Sequence, residues 1–166
     1  MDSSRIPQLI RLSSVYTYKC YRDGNLVWEH EEPNLVTNEG LDYAMSLIFG
    51  DETETSPVFY VGLIGKGPFP TSEDTMASHN FVENIDYTKK HRGVTEWQRV
   101  GVGTYLSGVS QFFMQNSTAV YGAFLTTGLD KGGSEGHLYG ASFIEFPKSV
   151  QAGDVLYVEI RVKATG

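Results

Sequence analysis

The chain has 166 residues, a formal net charge of −7, a pI near 5.0, and a charged fraction of 20% against a hydrophobic fraction of 40%. Such a length suits one domain with its own core, and such a balance excludes wholesale disorder. The acidic surplus argues against a nucleic-acid partner, because phosphate binding needs clustered Lys and Arg.

In chain order, residues 1–13 read as a flexible N-terminal arm, with Pro7 opposing a regular start, ahead of a single domain over residues 14–166. The segment lacks a basic stretch followed by an apolar run, so no secretion signal is expected. Synthesis and folding in a cytosol follow as the expectation. "VYTYKCYR" (Val15 to Arg22) and "LVWEHEE" (Leu26 to Glu32) flank an Asp-Gly turn, a strong hairpin signal, and Pro33 is expected to stop the second strand. Cys20 is the sole cysteine, so no intrachain disulfide can form; among strand residues it reads as a buried structural thiol.

A helix is expected over residues 38–49. Thr37 or Asn38 supplies a capping oxygen, Glu39 lies in the first turn, and Leu41, Ala44, Met45 and Ile48 recur at helical spacing. Gly50 is expected to end it in a left-handed conformation. A helix this short must pack on something, and its apolar stripe is expected to plug an end or edge of the sheets.

"SPVFYVGLIG" (Ser56 to Gly65) reads as a central strand, followed by the long loop "KGPFPTSEDTMASHN" and by "FVENIDY". In "KKHR" (Lys89 to Arg92) the basic residues are flanked by Glu83, Asp86 and Glu96 and read as a solvated loop. One strand is expected around Trp97 to Val102, two in "VSQFFMQNSTAVYGAFLTTG", and one in "HLYGASFIEF". In "VLYVEIRVKA" the residues Leu156, Val158, Ile160, Val162 and Ala164 alternate with Tyr157, Glu159, Arg161 and Lys163, so one face is buried and the other wet. About eight short strands predict an all-β protein, an antiparallel β-sandwich with one short helix, the jelly roll being one such arrangement. No run approaches the roughly 20 apolar residues of a membrane span, so no membrane partner is expected.

Reactive constellations are weak. The four histidines (His30, His79, His91, His137) are far apart, and no metal or other cofactor is expected. Asp74, Ser78 and His79 share one loop without the Gly-x-Ser-x-Gly turn of many hydrolases, so a loop bonded to itself is the plainer reading. "GKGPF" near Lys66 lacks the spacing of a phosphate-binding loop. The expectation is a protein that is not an enzyme and acts through its surfaces. Trp28, Trp97 and ten tyrosines leave room for sugar binding, though packing is the plainer use of strand aromatics.

Three stretches taken in order, "NLVTNEGLDYAMSLIFG", "FYVGLIGKGPFPTSEDTMASHNFVEN" and "GAFLTTGLDKGGSEGHLYGASFIEFPKSVQAGDVLYVEIRV", resemble the capsid cement or decoration proteins of short-tailed bacteriophages. The likeness runs over Asn34 to Glu83 and Gly122 to Val162; residues 84–110, with "KKHRGVTEW", depart from it. It implies a sandwich subunit on the exterior of the virion's icosahedral capsid, a homo-oligomer (dimer or trimer) bridging major capsid protein subunits, without catalytic residues. An acidic surface suits the outer face of the shell, away from packaged DNA. Contacts are expected from the arm (Arg5, Ile6, Leu9, Ile10, Arg11) and from the long loop (Phe69, Met76, His79), where apolar groups stand outside any core pattern. Deleting residues 1–13 is expected to weaken attachment while sparing the fold. The rival expectation is a tail- or fibre-associated glycan-binding protein using Trp28 or Trp97, and a third a glycan esterase or depolymerase built on Ser78 and His79.

Overall fold

The computed structural model describes residues 10–50 and 57–166. It is an antiparallel, mostly β protein with a single helix among the described residues. The strands are β1 (Arg11–Arg22), β2 (Asn25–Val36), β3 (Tyr60–Lys66), β4 (Val82–Asn84), β5 (Gly93–Val94), β6 (Trp97–Gly101), β7 (Thr104–Ser107), β8 (Ser110–Phe113), β9 (Thr118–Thr126), β10 (Leu138–Val150) and β11 (Val155–Thr165); the helix is α1 (Asn38–Phe49). Hydrogen bonding runs in the order β4-β3-β9-β10-β2-β1-β11-β7-β6, with β5 on β3 and β8 on β11. Strand β2 joins the two layers: its first part pairs with β1, and Asn34 to Val36 pair with β10. The expected sandwich-like fold is therefore present. Nothing in this strand order singles out a jelly roll.

The hairpin forms as the Asp-Gly signal predicts. Asp23 and Gly24 take positive φ of 50° and 77°, the mirror-image turn that matches strand twist, between the paired Arg22 and Asn25. Two boundaries differ from expectation. Pro33 does not end β2; it lies opposite Val15, and the strand runs on to Val36. A proline is tolerated there because β1 parts from β2 at that point, leaving little demand for its missing N–H. Likewise Arg11, Leu12 and Ser13 belong to β1, opposite Thr165, Ala164 and Lys163, not to a free arm. A deletion of residues 1–13 would strip these pairs, so it would not leave the sheet intact.

The core lies between the layers. On β11 the even positions Leu156, Val158 and Ile160 are fully buried beside Tyr16, Tyr18 and Cys20 of β1, as the alternation predicts. A second cluster, Ile64, Met76, Phe81, Phe124, Leu138 and Ala141, lies under the long loop. The closest approach occurs at Gly122, φ +147°, where an added Cβ would lie 1.9 Å from the Ser142 carbonyl oxygen.

At the hairpin end, Asp154 is 1% exposed and takes two 2.8 Å hydrogen bonds from the Arg22 guanidinium, one from the Gln151 amide, and a longer one from the Cys20 thiol. Burial, with the adjacent Asp154 carboxylate, pushes the Cys20 thiol up to about 12, which keeps it protonated and unreactive. Arg22 holds the Asp154 carboxyl below its usual range. Its folded-state pKa lies below the unfolded one of about 3.9, so its stabilisation is complete above that value and is lost as pH falls through the folded pKa. Urea titrations should show Asp154→Asn less stable than wild type at neutral pH, with the gap narrowing by about pH 3. A gap independent of pH would contradict the assignment.

Candidate docking surface

Helix α1 starts by the expected chemistry. The Thr37 hydroxyl accepts a 3.0 Å bond from the Gly40 amide and donates to the Leu138 carbonyl. Glu39, in the first turn, turns away from the helix: its Oε2 accepts from the amides of Met76 at 2.8 Å and Leu138 at 2.7 Å. Asn38 adds a backbone bond to Ser72 and a side-chain bond to Glu73. Gly40 lies flat on β10, where a Cβ would come within 2.1 Å of the Tyr139 carbonyl oxygen. Tyr43 stacks on His137 at 4.4 Å and meets Phe59 edge-on at 6.4 Å.

These anchors overturn the plug expectation. The buried residues of α1 are Gly40 and Tyr43, while the stripe faces outward: Leu41 is 40% exposed, Met45 53%, Ile48 69% and Phe49 78%. Polar bonds at the first turn, together with the fit of Gly40 and Tyr43 against β10, set the rotation of the helix, and the apolar periodicity did not. Gly50 ends the helix in an extended conformation, φ −94° and ψ −170°, not a left-handed one. Gly40→Ala should therefore unseat the helix and lower stability by roughly 1–3 kcal/mol, as overpacking against fixed backbone does; thermal melts test this.

Beside the helix, Phe59, Trp97, Tyr105, Leu125, Tyr139 and Val162, drawn from both layers, line an apolar cleft of about 190 Å³. Phe59 bridges it to the helix, meeting Trp97 and Tyr139 edge-on at 6.4 and 6.1 Å. Trp97, a candidate for an exposed sugar platform, is half-buried in this wall, and its indole N–H has no hydrogen-bond partner among the described residues. Trp28 donates its own N–H to the Ser149 carbonyl. Sequence reasoning could not find this cleft, because its six residues come from five strands and the segment before β3.

Of the expected contact residues, Arg5, Ile6 and Leu9 lie outside the described residues. Ile10 is 78% exposed, and Arg11 is held in β1. Phe69 is exposed and packs at a tilt against Phe143, ring centroids 4.3 Å apart. Met76 is corrected outright: it is fully buried in the second core cluster and offers no surface. His79 is half-buried, stacked on Phe81 at 4.1 Å, with its Nδ1 2.8 Å from the Phe81 carbonyl oxygen. Asp74, Ser78 and His79 form no relay; Asp74 binds Thr71 and Asn80, and Ser78 binds Thr75. The loop is bonded to itself.

The "KKHR" run is the largest departure. Lys89 and Lys90 are solvated, but Arg92 is buried, its guanidinium giving two bonds to Glu83 and one each to the Gly128 and Gly133 carbonyls. Its charge also lies 5.1 Å from the Phe124 ring centroid. Its local signal in the sequence is Glu83, nine residues upstream.

No family model, no curated protein and no solved structure matches this chain.

Proposed function

We propose that this protein is a decoration, or cement, protein of a tailed-phage head, binding the outer surface of the shell and bridging major capsid protein subunits as a homo-oligomer. One observation carries the reading: a helix pinned rigidly to the sheet turns four large apolar side chains to solvent. A contiguous exposed apolar patch marks an interaction site, and on its buried face the same helix touches the cleft wall through Tyr43 and Phe59. The resemblance of the helix segment and the stretches after it to cement proteins names the partner, and the acidic charge suits the outer face of a shell filled with DNA.

Attachment on this reading is cumulative. Each fully buried Leu, Ile, Met or Phe contributes about 1.5–3 kcal/mol, and an oligomer placed over a lattice axis multiplies weak contacts through effective concentration. Preference for the expanded lattice would stabilise the mature head by mass action. Co-sedimentation with purified heads tests this. Saturable, stoichiometric binding to mature heads, with weak binding to immature shells, is the expected result; equal indifference to both would refute it.

A further inference from the structure

The outward face of the β1–β2–β11 layer carries a shallow groove remote in register from the helix. Two adjoining hollows, about 140 and 150 Å³, share Thr17 and Glu159. Register explains them. Thr17 is the small residue in the middle of β1, with Glu31 opposite it on β2 and Glu159 opposite it on β11. One step along, Lys19 lies opposite Tyr157; one step back, Val15 lies opposite Arg161. Strand β7 and strand β8 both pair with β11, and the residues between them, including Val109, form the wall. At the hairpin end Tyr21 and Tyr157 pack with ring centroids 5.0 Å apart.

The chemistry of the groove is unspent. Thr17, Lys19, Tyr157 and Glu159 are half-buried, yet no hydrogen bond or ion pair joins the polar ends of Lys19, Glu31, Tyr157, Glu159 or Arg161 to any described residue. Carboxylates accept only, ammonium and guanidinium donate only, and hydroxyls do both. A ligand that suits them offers vicinal hydroxyls, each able to donate to Glu31 or Glu159 while accepting from Lys19 or Arg161. It also offers an apolar face for the tyrosine rings, whose apolar body and polar tip suit a half-wet site. Enclosed small-molecule sites run to roughly 300–1,000 Å³. These hollows are smaller and open, which fits one or two rings of a longer chain.

We propose that this groove binds a neutral oligosaccharide, with Tyr157 as the stacking platform and Glu159, Glu31 and Lys19 as hydroxyl partners. The inference does not depend on the capsid reading, since it uses a different face. It is tested on the full chain by saturation-transfer NMR and calorimetry with maltohexaose, cellohexaose and chitohexaose at millimolar concentration. At least one probe should bind, and Tyr157→Ala and Glu159→Gln should each weaken it about ten-fold or more, equivalent to 1.4 kcal/mol. Ile48→Asp with Phe49→Asp should leave it within about two-fold. Should Tyr157→Ala fold poorly, Glu159→Gln alters only an unpartnered carboxylate and still decides. Failure of all three probes to bind wild type, or binding that Glu159→Gln retains within about two-fold, overturns the proposal.

Discussion

Arg92→Met should cost about 3–5 kcal/mol of folding stability, enough to unfold much of the population, because it leaves buried charge uncompensated. Wild-type Arg92 is 0% exposed in its side chain and its partner Glu83 only 7%. Their bidentate pair at 2.9 and 2.8 Å joins β4 to the residue before β5, and two further donors close on the carbonyls of Gly128 and Gly133. Glu83 also accepts from the Gly132 amide, so removal of the guanidinium loosens the β9–β10 loop and strands a carboxylate in one event. Lys131, bonded to the Tyr87 and Lys89 carbonyls and 4.3 Å from the Tyr87 ring, fastens the same loop a second time. Urea denaturation measures the loss. Adding Glu83→Gln to Arg92→Met should recover part of it, since the amide removes the orphan charge and its carbonyl still accepts from Gly132. A double variant less stable than Arg92→Met would show that the charge was not the source.

Ile48→Asp combined with Phe49→Asp should leave the fold intact and weaken attachment to mature heads roughly 30- to 700-fold, corresponding to about 2–4 kcal/mol of apolar burial lost at the interface. Both side chains are mostly exposed in the free protein, at 69% and 78%, so the isolated chain has little to lose. Helix pinning depends on Thr37, Glu39, Gly40 and Tyr43, which all precede the changed residues in α1. Head-binding titrations, with thermal melts as a control for folding, read the two effects separately. A large fall in melting temperature would place these side chains in an intramolecular contact instead.

The elements legible in the sequence were those whose determinants are local. Asp23-Gly24 dictates its own turn, Thr37 caps its own helix, and the alternation through Leu156, Val158 and Ile160 marks a strand with one dry face. Features set by distant partners escaped. The stripe Leu41, Met45, Ile48 is as periodic as a core face, but Glu39 bonds to amides 37 and 99 residues away, and those bonds turn the stripe outward. Arg92 looked like solvated charge because its partners at Gly128 and Gly133 belong to a loop about forty residues further on. Met76 looked like a stray apolar group in a loop, and that loop folds over Ile64, Phe124 and Leu138 to bury it. The aromatic cleft and the groove over Thr17 have no linear signature, since each is assembled across strands.

Whether the exposed face of α1 grips the shell can be seen by imaging mature heads at near-atomic detail. Many symmetry-related copies are expected on the capsid exterior, with Leu41, Met45, Ile48 and Phe49 against major capsid subunits. Copies confined to the tail, or copies on the head whose α1 stripe faces solvent, would contradict it.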